Sequence, residues 1–493
     1  MWIIVLAMLG IAPAKGLQEP MLVYPRLLEE RSSDGRMVVH VHDDLTLSLR
    51  KASVAAPELK VLMVEDGRPV TRFYNGKHIE RDLYEDEDKI ATVAVRQSRS
   101  GVRMEGLVGP SHRIEPLSVS EKSEDGVVAH RIYEIEQKKM LDKTMRHRDK
   151  AQDIALNERR LQALEVVPEA VTVEVFIVVD VAHYKTFTNT SVVLQYLCVV
   201  VNAANLRYRA ASQPRVKLML TGVEKSEVEQ QNKYAFMPED GYLFDDLTIL
   251  QFKQYAYGKR VQYGYPDAVY LMTGLNVITF HNGKVTDAGL GIGFVSSVCT
   301  KSFVALGEDS PGLFSGVHTF THEMAHILGA YHDGEGPKEV SDKHPGAKDC
   351  PWEDGHIMSY VDKGPSHHQF STCSLKQIQY VLRKAGKSCW KVLSEGHSLD
   401  GVYPGMTVSF GTLCGTLPTD KNNSIFEYAS VLTATCKVKC FFEKYVTSDV
   451  FPEMGRFKIS LDYQTPALDY MPCGNHHRCI QGVCQDMRYY TKP

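Results

Sequence analysis

The stretch His322-Glu323-Met324-Ala325-His326-Ile327-Leu328-Gly329-Ala330-Tyr331-His332-Asp333 holds three imidazoles, two carboxylates and a glycine at spacings that suit a metal ion. On a helix, residues four apart differ by only about 40° around the axis, so His322 and His326 project from one face, one turn apart. They can grip one ion. Glu323 follows the first histidine and can reach a water on that ion as a general base without being a ligand. His332 cannot come from the same helix: six more residues would carry it roughly 9 Å past His326 along the axis, against a Zn–N bond of about 2 Å. The helix must therefore stop, and Gly329 is the residue that can take the left-handed conformation and swing the chain back. Three nitrogen ligands with an open fourth position make a catalytic rather than a structural zinc site, and the chemistry is metal-assisted hydrolysis.

Taken together these positions form the metzincin signature, whose other mark is a later methionine turn. Met358, in Gly355-His356-Ile357-Met358-Ser359-Tyr360, supplies that mark, as an apolar floor beneath the ligands rather than ordinary core filling. Asp333, directly after the third histidine, makes the chain resemble the reprolysin (adamalysin) branch of zinc endopeptidases, with the snake-venom metalloproteases and ADAM-type proteases. The resemblance covers nearly the whole chain. Glu174 to Asp180, with Tyr184 after it, looks like the first catalytic-domain strand of that family. Gly289-Leu290-Gly291-Ile292-Gly293-Phe294, followed by Cys299, looks like its substrate-binding edge strand. Upstream, Met104-Glu105-Gly106-Leu107, His112 to Leu117 and His130 to Glu134 resemble the reprolysin propeptide; downstream, Pro472-Cys473-Gly474, Cys479 and Gly482-Val483-Cys484 resemble the cysteine-rich modules of such proteases. The combination is similar to the secreted salivary metalloproteases of blood-feeding arthropods such as ticks.

The resemblance implies an α/β catalytic domain, a twisted mixed sheet packed by helices and completed by the Met-turn. It would be preceded by a β-rich prodomain and followed by a small disulfide-rich module. It implies that Cys299 pairs with Cys389 and Cys350 with Cys373, leaving six later cysteines with 15 possible connectivities. The substrate would bind as an extended strand antiparallel to Gly289–Phe294, and Asp333 would orient the ligand turn or the mature N-terminal strand without touching the metal. Tyr360 departs from the branch: astacins and serralysins carry a tyrosine two after the methionine as an extra zinc ligand, whereas in reprolysins this region walls the specificity pocket. Its role stays open between oxyanion donor and wall. The family's calcium site uses an early acidic residue, which Glu174 matches, and an asparagine just after the last catalytic-domain cysteine. Here Cys389 is followed by Trp390-Lys391-Val392, so calcium is open. A different class of reading, a binding protein whose cysteine-rich module carries the function on a protease scaffold, is countered by the intact Glu323 and ligand set.

Composition agrees with export. At 493 residues the chain should hold several domains: a signal peptide over 1–16, a prodomain over 17–165, the catalytic domain over 166–392 and the cysteine-rich domain over 393–493. The apolar run Trp2–Ala12 is too short for a bilayer and is followed by Ala12-Pro13-Ala14 and Gly16, small residues that signal peptidase prefers. A net charge of −4 spread over 24% charged residues gives no nucleic-acid or membrane-surface signal, and no later segment is apolar for long enough to anchor the chain. The expectation is a secreted monomer acting on extracellular proteins, with host haemostatic or matrix proteins as the substrates the resemblance suggests. None of the eleven cysteines precedes Cys198, and ten lie from Cys299 onward. Cys198 sits among Leu194, Leu197 and Val201 at helical spacing, as a buried thiol or a partner in an intermolecular bridge. Asn189-Thr190-Ser191 and Asn422-Asn423-Ser424 are glycosylation sequons.

The absence of early cysteine also means that latency cannot come from a propeptide thiolate on the zinc; blocking must be steric or use an oxygen or nitrogen ligand. Lys138-Lys139 and Arg159-Arg160 mark a charged linker where a propeptide could be released. In the catalytic region the patterns predict strands over Glu174–Asp180, Val216–Val223, Asp267–Met272 and Gly289–Val295. They predict helices over Ser191–Arg209 and Asp245–Lys259, a zinc helix from near Ser315, and a last helix opened by a capping box at Ser374 and running to Ala385. His318, one turn before His322, is read as a packing residue.

Overall fold

The computed structural model describes residues 19–29, 36–98, 101–117, 127–136, 138, 140–145, 169–336, 344–386, 389–394, 404–415, 417, 424–447, 455–468, 470–480 and 483–486. The leader, the Arg159-Arg160 pair, Lys139 and the Asn422 sequon lie outside them.

The run Ala170-Val171-Thr172-Val173-Glu174-Val175-Phe176-Ile177-Val178-Val179 is apolar on both sides of the period-2 alternation, which is the pattern of a strand covered on both faces. Its odd-numbered valines and Ile177 pack with Leu197, Val200, Phe320 and Met324. Phe176 and Val178 pack on the opposite side with Phe252, Ala256 and Tyr263. It is central in an eight-stranded mixed sheet. In chain order the members are β1 (Ala55–Glu65), β2 (Arg68–Asn75), β3 (Lys143–Met145), β4 (Ala170–Val179), β5 (Arg215–Lys225), β6 (Ala268–Thr273), β7 (Gly291–Phe294) and β8 (Val304–Glu308). Across the sheet they run β3-β7-β8-β6-β4-β5-β1-β2. Only β7 against β8 and β1 against β2 are antiparallel. Helices α1 (Thr190–Tyr208) and α3 (Val317–Ile327) lie on one face and α2 (Asp245–Tyr263) on the other, and α4 (Thr372–Ala385) closes the first face.

The catalytic region is thus α/β with a mixed sheet, and its predicted elements are present with small boundary shifts. Asn189 caps α1, its side-chain oxygen accepting from the Val192 N–H at 3.2 Å. The cap of α4 is Ser371, not Ser374: the Ser371 hydroxyl accepts from the Ser374 N–H at 3.1 Å. The predicted edge strand is shorter, Gly291–Phe294, and it is not at the edge, because β3 pairs outside it.

Residues 21–134 supply a nine-stranded antiparallel sheet around Val39, Leu47, Leu49, Val93, Met104, Ile114 and Ile132. The hairpin β1–β2 leaves that sheet and joins the catalytic one, β1 running parallel to β5. Downstream, the segments Ser424–Leu432, Lys437–Thr447 and Arg456–Pro466 form one small sheet, and Pro472–Gly474, His477–Ile480 and Val483–Asp486 another. Cys299–Cys389 and Cys350–Cys373 are paired as the resemblance implies. The open connectivity resolves to Cys414–Cys440, Cys436–Cys479 and Cys473–Cys484. Cys198 is a buried free thiol. Among the described residues no helix is long and apolar enough to cross a membrane.

Candidate metal centre

Helix α3 carries His322, Glu323 and His326, all fully buried. It ends as the spacing requires. Gly329 has φ +112°, and a Cβ there would come 2.3 Å from Val381 Cγ2, so both backbone angle and space demand glycine. The Ala330 N–H closes back on the Ala325 carbonyl at 2.9 Å, a Schellman-type end that reverses the chain toward His332.

His322 Nδ1 donates to the Ile357 carbonyl at 2.7 Å and His326 Nδ1 to the Ala330 carbonyl at 2.6 Å. A carbonyl only accepts, so both protons sit on Nδ1 and both Nε2 lone pairs face inward. His332 Nε2 lies 3.3 Å from His322 Nε2. Two Zn–N bonds of 2.0–2.1 Å at a tetrahedral angle span about 3.3 Å, so the spacing fits zinc. Beside this cluster neither oxygen of the buried Glu323 carboxylate has a hydrogen-bond partner among the described residues. Burial, then the nearby Asp142 and Asp245 carboxylates, push the Glu323 pKa well above the usual range. An orphaned carboxylate next to three convergent nitrogens is a donor set that a metal ion and a water would complete.

The glycines of β7 have a spatial reason that their spacing alone does not supply. Gly291 and Gly293 alternate onto one face of the strand, and Gly289 lies just before it. A Cβ on Gly291 would meet Glu323 Oε1 at 2.5 Å, one on Gly293 would meet Glu323 Oε2 at 2.9 Å, and one on Gly289 would meet Thr279 at 2.7 Å. Helix α3 rests on bare strand backbone there, and Leu290 and Ile292 are the apolar members between.

Met358 is fully buried; the Ile357 carbonyl before it takes the His322 proton, and its own carbonyl accepts from the N–H of Asp333, the residue after His332, at 3.0 Å. The Asp333 carboxylate turns away from the imidazoles and accepts from the Ser371 hydroxyl at 2.6 Å and the Ser374 hydroxyl at 3.3 Å, joining the ligand turn to the start of α4. Tyr360 packs edge-on against Trp352 and His332, with ring centroids 4.7 and 5.4 Å away. His318 stacks on His367 at 4.2 Å, outside the imidazole cluster. The Glu174 oxygens accept from the N–H groups of Leu393 at 3.0 Å and Ser394 at 2.7 Å.

One residue of the site was not anticipated. Asp142, an acid of the linker, places its fully buried carboxylate against all three histidines: Oδ2 lies 3.3 Å from His322 Nε2, 2.9 Å from His326 Nε2 and 3.1 Å from His332 Nε2. Tyr360 donates to its Oδ1. The one signal that pointed this way was the missing early cysteine, which demanded an oxygen or nitrogen ligand from somewhere upstream.

A mixed α/β sheet with a three-histidine centre next to a buried glutamate defines a zinc-dependent metallopeptidase. Comparison with known proteins makes the assignment more specific: the profile of the Reprolysin (M12B) family zinc metalloprotease matches residues 172–392. The venom metalloproteinase antarease-like TserMP_B of Tityus serrulatus is 31% identical over 230 residues, 45% of this chain and 97% of that protein. Antarease-like TtrivMP_A of Tityus trivittatus is 28% identical over 320 residues, 63% of this chain and 80% of that one. A Bombyx mori protein described as "a disintegrin and metalloproteinase with thrombospondin motifs like" is 26% identical over 352 residues, 69% of this chain and 47% of its own. The chain belongs to the reprolysin family and is a zinc metalloendopeptidase.

Proposed function

We propose that the protein is a secreted enzyme that hydrolyses peptide bonds of extracellular proteins, with His322, His326 and His332 holding zinc and Glu323 as general base. The convergence of three Nε2 atoms beside an unpartnered, buried Glu323 carboxylate carries this reading. Zinc bound there supplies a Lewis acid for the scissile carbonyl and lowers the pKa of water. Glu323 takes the proton of the attacking water and returns it to the leaving nitrogen. Burial makes the protonated form of this carboxyl favourable between the two transfers. Once β3 leaves its outer side, strand β7 would offer backbone N–H and C=O groups to an extended substrate laid antiparallel to it. Met358 floors the ligands, and Asp333 fixes the ligand turn through Ser371.

The same reading divides the chain into a signal peptide over 1–16, a prodomain over 17–165, a catalytic domain over 166–392 and a cysteine-rich domain over 393–493. Export is supported by five disulfides, by relatives named as venom proteins, and by Asn189, an exposed sequon residue. Host haemostatic or matrix proteins are the substrates this reading proposes.

The test is casein digestion by processed protein together with metal analysis. Glu323→Ala should keep one zinc per chain and lose several orders of magnitude in turnover, whereas His326→Ala should lose the metal. Full activity in the first variant, or a zinc-loaded, active second one, overturns the assignment.

A further inference from the structure

We propose that Asp142 is the fourth zinc ligand of the uncleaved chain, a carboxylate latch that holds the centre closed until the N-terminal region leaves. The proposal rests on the three histidines being zinc ligands, as argued above.

Three observations carry it. The first is geometric: the Oδ2 separations of 3.3, 2.9 and 3.1 Å from the three Nε2 atoms are close to the edges, about 3.3 Å, of a tetrahedron with zinc at its centre. The second is chemical. With the Nδ1 protons of His322 and His326 committed to carbonyls, the inward Nε2 atoms are lone pairs facing an acceptor oxygen, and a cation between them removes that conflict. A fully buried carboxylate also needs positive partners. The third is the path of the chain around Asp142. The Leu141 N–H donates to the Ala288 carbonyl at 2.7 Å, β3 pairs with Ile292–Phe294, and the Val295 N–H donates to the Met145 carbonyl at 3.1 Å. Lys138 pairs with Glu308 and Lys143 with Asp246, pinning the segment at both ends. Tyr360 holds the latch itself, its hydroxyl accepting from the Asp142 N–H at 3.2 Å and donating to Oδ1.

The segment fills the substrate strand's place in the opposite sense. Strand β3 runs parallel to β7, whereas the substrate reading is antiparallel. A peptide lying backwards presents its bonds in reverse order to Glu323, so the chain can sit in its own cleft uncut.

The experiment uses the full, uncleaved chain with cobalt in place of zinc and acetohydroxamic acid as a probe of the fourth position. The wild-type visible spectrum should not respond to the probe, while Asp142→Ala and the near-isosteric Asp142→Asn should bind it with a changed spectrum. Asp142→Cys should add a thiolate-to-cobalt charge-transfer band, which reports that residue 142 touches the metal whatever the activity. Probe binding to the wild type as tight as to Asp142→Ala, or a cobalt-loaded Asp142→Cys without the thiolate band, overturns the latch while leaving the three-histidine reading standing. If cobalt binds no better to the wild type than to His326→Ala, the zinc reading itself fails and the latch with it.

Discussion

The Glu323 carboxylate occupies the space where a side chain on Gly291 would begin: a Cβ there would lie 2.5 Å from Oε1 and 2.8 Å from Cγ. Gly291→Ala therefore has to move the base or the strand. Since the ligands belong to other contacts, the variant should keep its zinc but lose roughly 100-fold in turnover, the order of cost of a 1 Å misplacement. Turnover within threefold of wild type would show that β7 yields without disturbing Glu323.

Tyr360 is bonded to the same carboxylate that faces the three imidazoles. Of the two roles open to it, we propose that the phenol, freed when that carboxylate leaves, donates to the oxyanion that develops on a substrate carbonyl. Tyr360→Phe in the processed enzyme should cost about 10- to 1,000-fold in kcat with little change in KM. An unchanged kcat assigns the ring to the pocket wall.

Asp333 ties the ligand turn to Ser371 and Ser374 at the start of α4. Asp333→Ala should weaken zinc binding roughly 10- to 100-fold, as loss of such outer contacts does elsewhere, and Asp333→Asn should recover part of it. Competition against a chelator measures both; wild-type affinity in the alanine variant would restrict Asp333 to a capping role.

His130 is buried in the N-terminal sheet, its Nε2 accepting from the Met104 N–H at 2.9 Å and its Nδ1 donating to the Val128 carbonyl. Burial pushes its pKa down to about 4. The folded form therefore binds fewer protons than the unfolded one between about pH 6.5 and 4, and stability falls as pH drops through that window, by up to about 3 kcal/mol, then levels off below it. Thermal melts of the uncleaved chain across that range should show the loss, and His130→Gln, which keeps an acceptor for Met104, should reduce the slope. Equal slopes in both proteins would remove His130 from the account.

Cys198 is buried in α1, and burial raises its thiol pKa. Ellman's reagent should find no thiol in the folded protein and one in denaturant. A covalent dimer on non-reducing electrophoresis would point instead to an intermolecular bridge.

The zinc centre was legible because its parts are local. His322, Glu323, His326, Gly329 and His332 lie within eleven consecutive residues, where helix geometry places the first three and the glycine turn that ends the helix returns the chain for the last. The alternating strands upstream were legible as strands, but alternation does not say which sheet a strand joins, so the transfer of Ala55–Asn75 to the catalytic sheet was hidden. Ser371 and Ser374 are both hydroxyls three residues apart, and only the bond from the Ser374 N–H to the Ser371 hydroxyl shows which one is the cap. Asp142 had no motif at all. Its place depends on contacts with residues 180 to 190 positions away.

The pairing of β1 with β5 changes what a cut in the linker would accomplish. Severing the chain at Arg160 would break one covalent connection, yet Leu220 would remain opposite Ala55, and Gly222, Val223 and Glu224 opposite Lys60, Val61 and Leu62. The nicked protein would be a two-chain complex sharing one sheet. Its activation would then follow mass action: dilution would favour separation, a high concentration would oppose it, and the released N-terminal fragment would act as an inhibitor able to rebind.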